Sequence, residues 1–135
     1  MLAWRDAEAE AMRVREAVFV VEQGVPREIE RDEWDARSDH ALAIDRDGRV
    51  LGTGRLLPDG HIGRMAVLPE SRGQGIGSRI LGALIARARE RGMKRVVLNA
   101  QTHAAPFYAR HGFVAEGGEF MEAGIPHVAM AREIT

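Results

Sequence analysis

Residues 64 to 78 read Arg-Met-Ala-Val-Leu-Pro-Glu-Ser-Arg-Gly-Gln-Gly-Ile-Gly-Ser, and this run constrains the fold more than any other stretch of the chain. A short apolar strand stops at Pro69, and a loop with glycine at 73, 75 and 77 follows. Ile76, Ile80, Leu81, Leu84, Ile85 and Ala88 then mark one face of a helix. The first N–H groups of such a helix lack internal partners, and its dipole places partial positive charge at the same end. A strand, a glycine loop and a helix start in this order therefore suit a phosphate-bearing ligand, with glycine letting the backbone approach closely. Two nucleotide motifs do not fit. A dinucleotide fingerprint needs glycine at 78, where Ser78 stands, and an acidic residue about 20 positions on, where the chain has Asn99. A P-loop needs Gly-Lys-Ser/Thr, which is absent. Glycines that only shape a turn are the structural alternative.

Composition narrows the partners. A chain of 135 residues reads as one domain, 1–135, able to bury roughly two-thirds of its unfolded surface. Its net charge of −1 gives no global field for nucleic acid or a membrane surface, so neither is expected as a partner. The basic cluster Arg87, Arg89, Arg91, Lys94 and Arg95 lies at the end of the long helix, where cations suit the dipole. It reads as a solvated helix end. No apolar run reaches the roughly 20 residues of a membrane span. Asp6, Glu8 and Glu10 make the N-terminus unlike a secretory signal, and the expected location is cytoplasmic. Cysteine is absent, which excludes disulfides, thiolate metal sites and a cysteine nucleophile. No His-Glu-x-x-His pair and no Gly-x-Ser-x-Gly elbow is present, so no metal is expected.

The order of elements predicts an α/β domain with a mixed sheet. Leu2–Trp4 reads as a first strand and residues 6–17 as a helix, which Val18-Phe19-Val20-Val21 either continues or breaks. Residues 40–45 and 50–57 read as a hairpin about Asp47-Gly48, and Pro58-Asp59-Gly60 turns into a third strand over 61–67. The long helix spans 75–91, with Gly92 as its C′ residue. A strand over 95–99, a short helix over 104–111 and final strands over 113–122 and 127–134 complete the chain, the last two flanking Gly124-Ile125-Pro126.

Arg72-Gly73-Gln74-Gly75-Ile76-Gly77 resembles the arginine/glutamine-x-x-glycine-x-glycine/alanine loop of the GNAT superfamily of N-acetyltransferases, and the element order is similar throughout. Val-Phe-Val-Val-Glu-Gln at 18–23, Asn-Ala-Gln-Thr at 99–102 and Ile-Pro-His at 125–127 resemble the ElaA-like subgroup. The C-terminal segment is similar also to that of glyphosate N-acetyltransferase. The resemblance implies a GNAT-like acyl-CoA N-acyltransferase fold, with a central, largely antiparallel sheet and flanking helices. It implies acetyl-coenzyme A as cosubstrate, its pyrophosphate held by Arg72, Gly73, Gln74, Gly75, Ile76, Gly77 and Ser78. The strand backbone of Met65, Ala66 and Val67 would meet the pantetheine amides, with Asn99 and Phe107 beside them. Phe107-Tyr108-x-x-x-Gly112-Phe113 looks like the segment whose tyrosine gives a proton to the departing thiolate. Tyr108 is the only tyrosine of the chain, and a core aromatic is its bland alternative. By motif position the role of general base falls on His127, and an imidazole can take an ammonium proton near neutrality.

The acceptor is less legible. Arg55 and Arg64 lie on adjacent predicted strands, and a turn centred on Asp59 sets them nearly opposite. Like charges across a ladder are unfavourable, so either an anionic acceptor group or a protein carboxylate would sit between them. Arg64 matches an anion-binding arginine of glyphosate N-acetyltransferase, whereas Gln101 stands where that enzyme has another arginine. Arg55, Arg64 and Gln101 are the candidate substrate contacts. Glu28, Glu30, Asp32, Glu33, Asp35 and Asp39 form either a solvated run or an acidic border to the acceptor cleft. The expected activity is direct acetyl transfer to a primary amine of a small molecule or peptide, by a monomer or homodimer. A non-catalytic acyl-coenzyme A sensor and an interaction module built on Val18–Val21 are the alternatives.

Overall fold

A computed structural model of the chain describes residues 2–23 and 35–134. Strand β1 (Leu2–Ala3) runs into helix α1 (Trp4–Arg15), which continues as a π-helical stretch, Glu16–Glu22. The wider turn closes with a bond from the Gln23 N–H to the Val18 carbonyl at 3.0 Å. Val18-Phe19-Val20-Val21 is β-branched and aromatic, a composition that crowds an ordinary helical turn. It continues the helix in a looser form.

A 3₁₀ turn (Asp35–Arg37) precedes strands β2 (Asp39–Ile44), β3 (Val50–Leu56) and β4 (Ile62–Val67). A second 3₁₀ turn (Pro69–Ser71) and the glycine loop lead to helix α2 (Ile76–Glu90). Strand β5 (Arg95–Gln101), helix α3 (Ala105–Arg110) and strands β6 (Val114–Ala115), β7 (Phe120–Glu122) and β8 (Ile125–Glu133) follow. Helix α2 ends as its sequence predicts. Gly92 has φ +76°, the Met93 N–H reaches the Ala88 carbonyl at 3.0 Å and the Gly92 N–H reaches Arg89 at 3.0 Å, which is a Schellman closure.

The strands form two antiparallel sheets, ordered β1-β2-β3-β4 and β5-β8-β6, with β7 also on β8. The two sheets meet at one parallel bridge, His61 to Val97, where the Val97 N–H reaches the Gly60 carbonyl at 3.1 Å. Beyond it β4 and β5 form no ladder, and the central sheet opens there. The expected strand over 113–122 is likewise two short strands, parted at Gly117-Gly118. Its turn also differs from expectation. Ala123 and Gly124 both have positive φ, +51° and +77°, and Glu122 pairs with Ile125. This two-residue I′-type hairpin places Ile125 and Pro126 inside β8 rather than in a turn.

Helix α2 buries Ile80, Leu81, Leu84, Ile85 and Ala88 against Leu56, Ile62, Val96, Leu98, Phe113 and Met130. It lies close to β3 because Gly52 and Gly54 carry no side chain. A Cβ at either would stand 2.8 or 2.9 Å from Ile80. A smaller cluster joins Val14 and Val18 to Val50, Ala66 and Leu68, with Leu42 against it. Ala41 and Leu42, adjacent in β2, belong to different clusters, so alternation sets α1 and α2 on opposite faces of the first sheet.

Candidate active site

A cleft of about 1260 Å³ occupies the gap between β4 and β5. At one end stands the start of α2. Gly73 and Gly75 have φ +81° and +77°, and a Cβ on either would meet no atom within 4 Å. Gly75 is the N-cap, its carbonyl accepting the Arg79 N–H at 3.2 Å. The N–H groups of Ile76, Gly77 and Ser78 therefore precede the first intrahelical bond and remain available to a ligand. Gly73, Gly75, Ile76, Gly77 and Ser78 line the cleft, whereas the exposed Gln74 does not. Arg72 turns back on the strand, its Nε donating to the Val67 carbonyl at 3.1 Å. Phe107 packs on the helix start, 3.4 Å from where a Cβ on Gly77 would be. Ser78 Oγ lies 3.0 Å from His111 Nε2. An open row of N–H groups, beside glycines with space in front of them, is a cradle that a pyrophosphate fits.

Strand β4 forms the near wall with Arg64, Met65, Ala66 and Val67. It carries a bulge. Thr53 pairs with Ala66 but Arg55 pairs with Gly63, so two residues of β4, Arg64 and Met65, oppose Gly54 alone. Arg64 takes φ +49°, a left-handed conformation that non-glycine residues adopt at a cost of about 1–2 kcal/mol. The turn sets Gly63 opposite Arg55, so Arg64 stands one residue off it, nearly opposite as the sequence predicts. Both arginines still line the cleft.

The Arg55 guanidinium donates to the Asp35 carboxylate at 2.9 Å, and Arg15 meets the same carboxylate at 2.8 and 3.3 Å. Arg15 and Asp35 are each 1% exposed, so this is an interior ionic cluster tying α1 to β3. His40 joins it through Nε2, 2.8 Å from the Asp35 carbonyl. Burial holds the His40 imidazole below its ordinary value although the Asp35 contacts oppose that shift. Asp39 sits elsewhere, clasped by Arg91 at 2.5 and 3.0 Å and by Arg87 at 3.3 Å. Burial alone would raise its carboxyl, but the hydrogen bonds and charges of Arg91 and Arg87 keep it lowered. Neither Asp35 nor Asp39 is therefore part of a solvated acidic run, and Arg87 and Arg91 are not simply a solvated helix end. Glu28, Glu30, Asp32 and Glu33 lie outside the described residues.

The far wall is one face of the second sheet. Gln101 pairs with His127, and Phe120 pairs with His127 from the other side. Alternation then gathers Asn99 and Gln101 of β5, Ile125 and His127 of β8, and Phe120 and Glu122 of β7 on a single face. His127 is 6% exposed and stacks on Phe120 with ring centroids 6.1 Å apart. Its Nδ1 lies 2.7 Å from the Ile125 carbonyl. A carbonyl only accepts, so Nδ1 carries a proton, and in the neutral ring Nε2 holds the lone pair. Nε2 is 3.4 Å from a Glu122 carboxylate oxygen, and the other oxygen is 3.4 Å from Asn99 Nδ2. Gln101 exchanges amide hydrogen bonds with Gln23 at 2.8 and 3.2 Å, linking this wall to the π-helical segment. From α3, Tyr108 turns its hydroxyl onto the Met65 sulfur at 3.7 Å, across the cleft from its own helix. Burial pushes its phenol up to about 12.

The cleft brings together every candidate residue except Gln74, and adds some that the sequence reading missed: Glu122, Gln23, Val18, Phe19 and His61. Glu122 was findable. With the turn placed on Ala123-Gly124, period-two alternation puts Glu122 on the face of His127.

The sequence profile described as an acetyltransferase (GNAT) domain matches residues 5–134. The chain is 42% identical over 128 residues to the uncharacterized N-acetyltransferase YjcF of Bacillus subtilis (strain 168), covering 92% of this chain and 91% of that protein. Among solved structures it resembles Escherichia coli ElaA, with TM-score 0.83 and 31% identity over 95% of this chain and 90% of that one. An acyl-CoA N-acyltransferase from Pseudomonas aeruginosa is also similar, with TM-score 0.80 and 35% identity over 93% and 89% of the two chains.

Proposed function

The chain belongs to the GNAT acetyltransferase domain family, and from that premise we propose that it moves an acetyl group from acetyl-coenzyme A directly to a primary amine of a small molecule. One observation carries the reading. A helix start with open N–H groups, a protonated phenol and a buried imidazole with Nδ1 committed to a carbonyl all line a single cleft.

Acetyl-coenzyme A supplies an activated acyl carbonyl and a thiolate leaving group. The N–H groups of Gly73, Gly75, Ile76, Gly77 and Ser78 hold its pyrophosphate, with Arg72 adding charge nearby. The backbone of Met65, Ala66 and Val67 binds the pantetheine amides, and a strand N–H there polarises the carbonyl as charge develops on its oxygen. Asn99 and Phe107 flank the arm. His127 Nε2 takes one proton from the acceptor ammonium, which frees the nitrogen lone pair for attack. Tyr108 gives its phenolic proton to the departing sulfur and regains one from the acylated nitrogen. The reaction as a whole releases one proton, which His127 returns to solvent.

Thiol release from acetyl-coenzyme A in the presence of amines, amino acids, polyamines, aminoglycosides and peptides tests the reading, together with the melting temperature at rising cofactor concentration. Stabilisation by mass action plus turnover with at least one amine is the expected result. Stabilisation without turnover on the whole panel would instead mark a sensor.

A further inference from the structure

Glu122 is the carboxylate of the cleft that reaches both the imidazole of His127 and the amide of Asn99, each at 3.4 Å. The geometry at His127 leaves a chemical question. Nδ1 donates to the Ile125 carbonyl, so in the neutral ring a bare Nε2 lone pair faces a carboxylate oxygen. Two acceptors at this separation repel unless a proton on Nε2 or another donor stands between them. From β5 the neutral amide of Gln101 stands opposite His127, and the ring of Phe120 covers one side, so neither brings a compensating charge. A substrate ammonium answers both groups at once, with N–H donors for the two acceptors and a positive charge for the carboxylate.

We propose that Glu122 is the positioning residue of the acceptor site. It holds a cationic primary amine beside His127 Nε2, and then pairs with the imidazolium once the proton has moved. The proton travels from the ammonium nitrogen to the Nε2 lone pair. The nitrogen keeps the bonding electron pair for attack, and the positive charge stays next to Glu122 throughout. The acceptor class is thus amines that are protonated in solution. This assignment rests on His127 being the base of the reaction proposed above.

The hairpin supports the role mechanically. Glu122 is the last residue before the two-residue turn Ala123-Gly124, so its backbone is fixed by its pairing with Ile125. Its side chain is about half exposed, at 49%, and can meet an incoming cation without unfolding the wall.

The test uses butylammonium as probe and butanol as its uncharged counterpart, with the full chain. Saturable butylammonium-induced shifts of the His127 ring resonances are expected in the wild-type protein, with butanol much weaker. Glu122→Gln, nearly isosteric and at the exposed end of β7, should weaken butylammonium binding about 10–100-fold, the scale of a hydrogen bond to a charged group. It should leave butanol binding within twofold. Glu122→Asp, which keeps the charge on a shorter stem, should recover part of the loss. Butylammonium affinity that is unchanged in Glu122→Gln, or no saturable shift in the wild-type protein, overturns the proposal even where other amines are acetylated. Binding that follows the charge at 122, without thiol release from acetyl-coenzyme A for any amine, would leave the cation site standing and defeat the transfer reaction instead.

Discussion

Burial pushes the Tyr108 phenol up to about 12, which fixes its protonation state at any pH where an amine would be assayed. A phenol held so high gives up its proton only as thiolate charge develops beside it. Tyr108→Phe keeps the edge-to-face packing on Phe107, with centroids 5.0 Å apart, and removes the hydroxyl that carries the proton. The expected result is a kcat about 10–10³-fold lower with cofactor Kd unchanged, measured by single-turnover kinetics and calorimetry. The same shift has a stability consequence. Because the folded value lies above the unfolded value of about 10, the contribution is complete below pH 10 and is lost as pH rises through about 12. Melting temperatures across pH 9–12 should therefore fall more steeply in the wild type than in Tyr108→Phe. His127 is checked differently. His127→Ala should slow transfer about 10²–10⁴-fold while acetyl-coenzyme A still binds. Gln at 127 should not restore the rate, because an amide cannot take a proton.

Among the elements, the glycine loop joined to α2 was the most legible and β4 the least. The loop could be read because its chemistry is local: three glycines, a stopped strand and an apolar stripe lie in consecutive residues. Gly75→Val tests it. A Cβ at this position meets no protein atom within 4 Å, so the main cost to the ligand-free fold is the strain of a side chain at φ +77°, about 1–2 kcal/mol. Cofactor affinity, measured by calorimetry, should fall at least tenfold. The bulge of β4 was not legible, since Ile62–Val67 reads as a short apolar strand in which no residue marks an extra position. The hairpin at Ala123-Gly124 was missed for a related reason. Alanine is a poor resident of a positive-φ site, so Gly124-Ile125-Pro126 reads as the better turn. Asp35 was unreadable because its partners, Arg15 and Arg55, come from elements 20 residues away on either side.

At the scale of the whole molecule, the Arg15–Asp35–Arg55 cluster joins the first helix to a strand that lines the cleft. Removing the central carboxylate leaves guanidinium charge in the interior, so Asp35→Asn should cost about 3–5 kcal/mol in a denaturant titration followed by circular dichroism. The larger feature is the gap. Two sheets that meet at one bridge leave the outer edge of β4 without a neighbouring strand among the described residues. An edge of this kind, in most proteins a hazard to be covered, would here be completed by a small molecule whose amides take the place of a strand. Deuterium would then count occupancy directly. Among residues 63–67, the amides that point away from β3 should exchange with solvent quickly in the empty protein and slowly with acetyl-coenzyme A present, while those of β2 stay unchanged. Residue-resolved exchange would show which carbonyls and N–H groups the ligand borrows, before any acceptor amine is known.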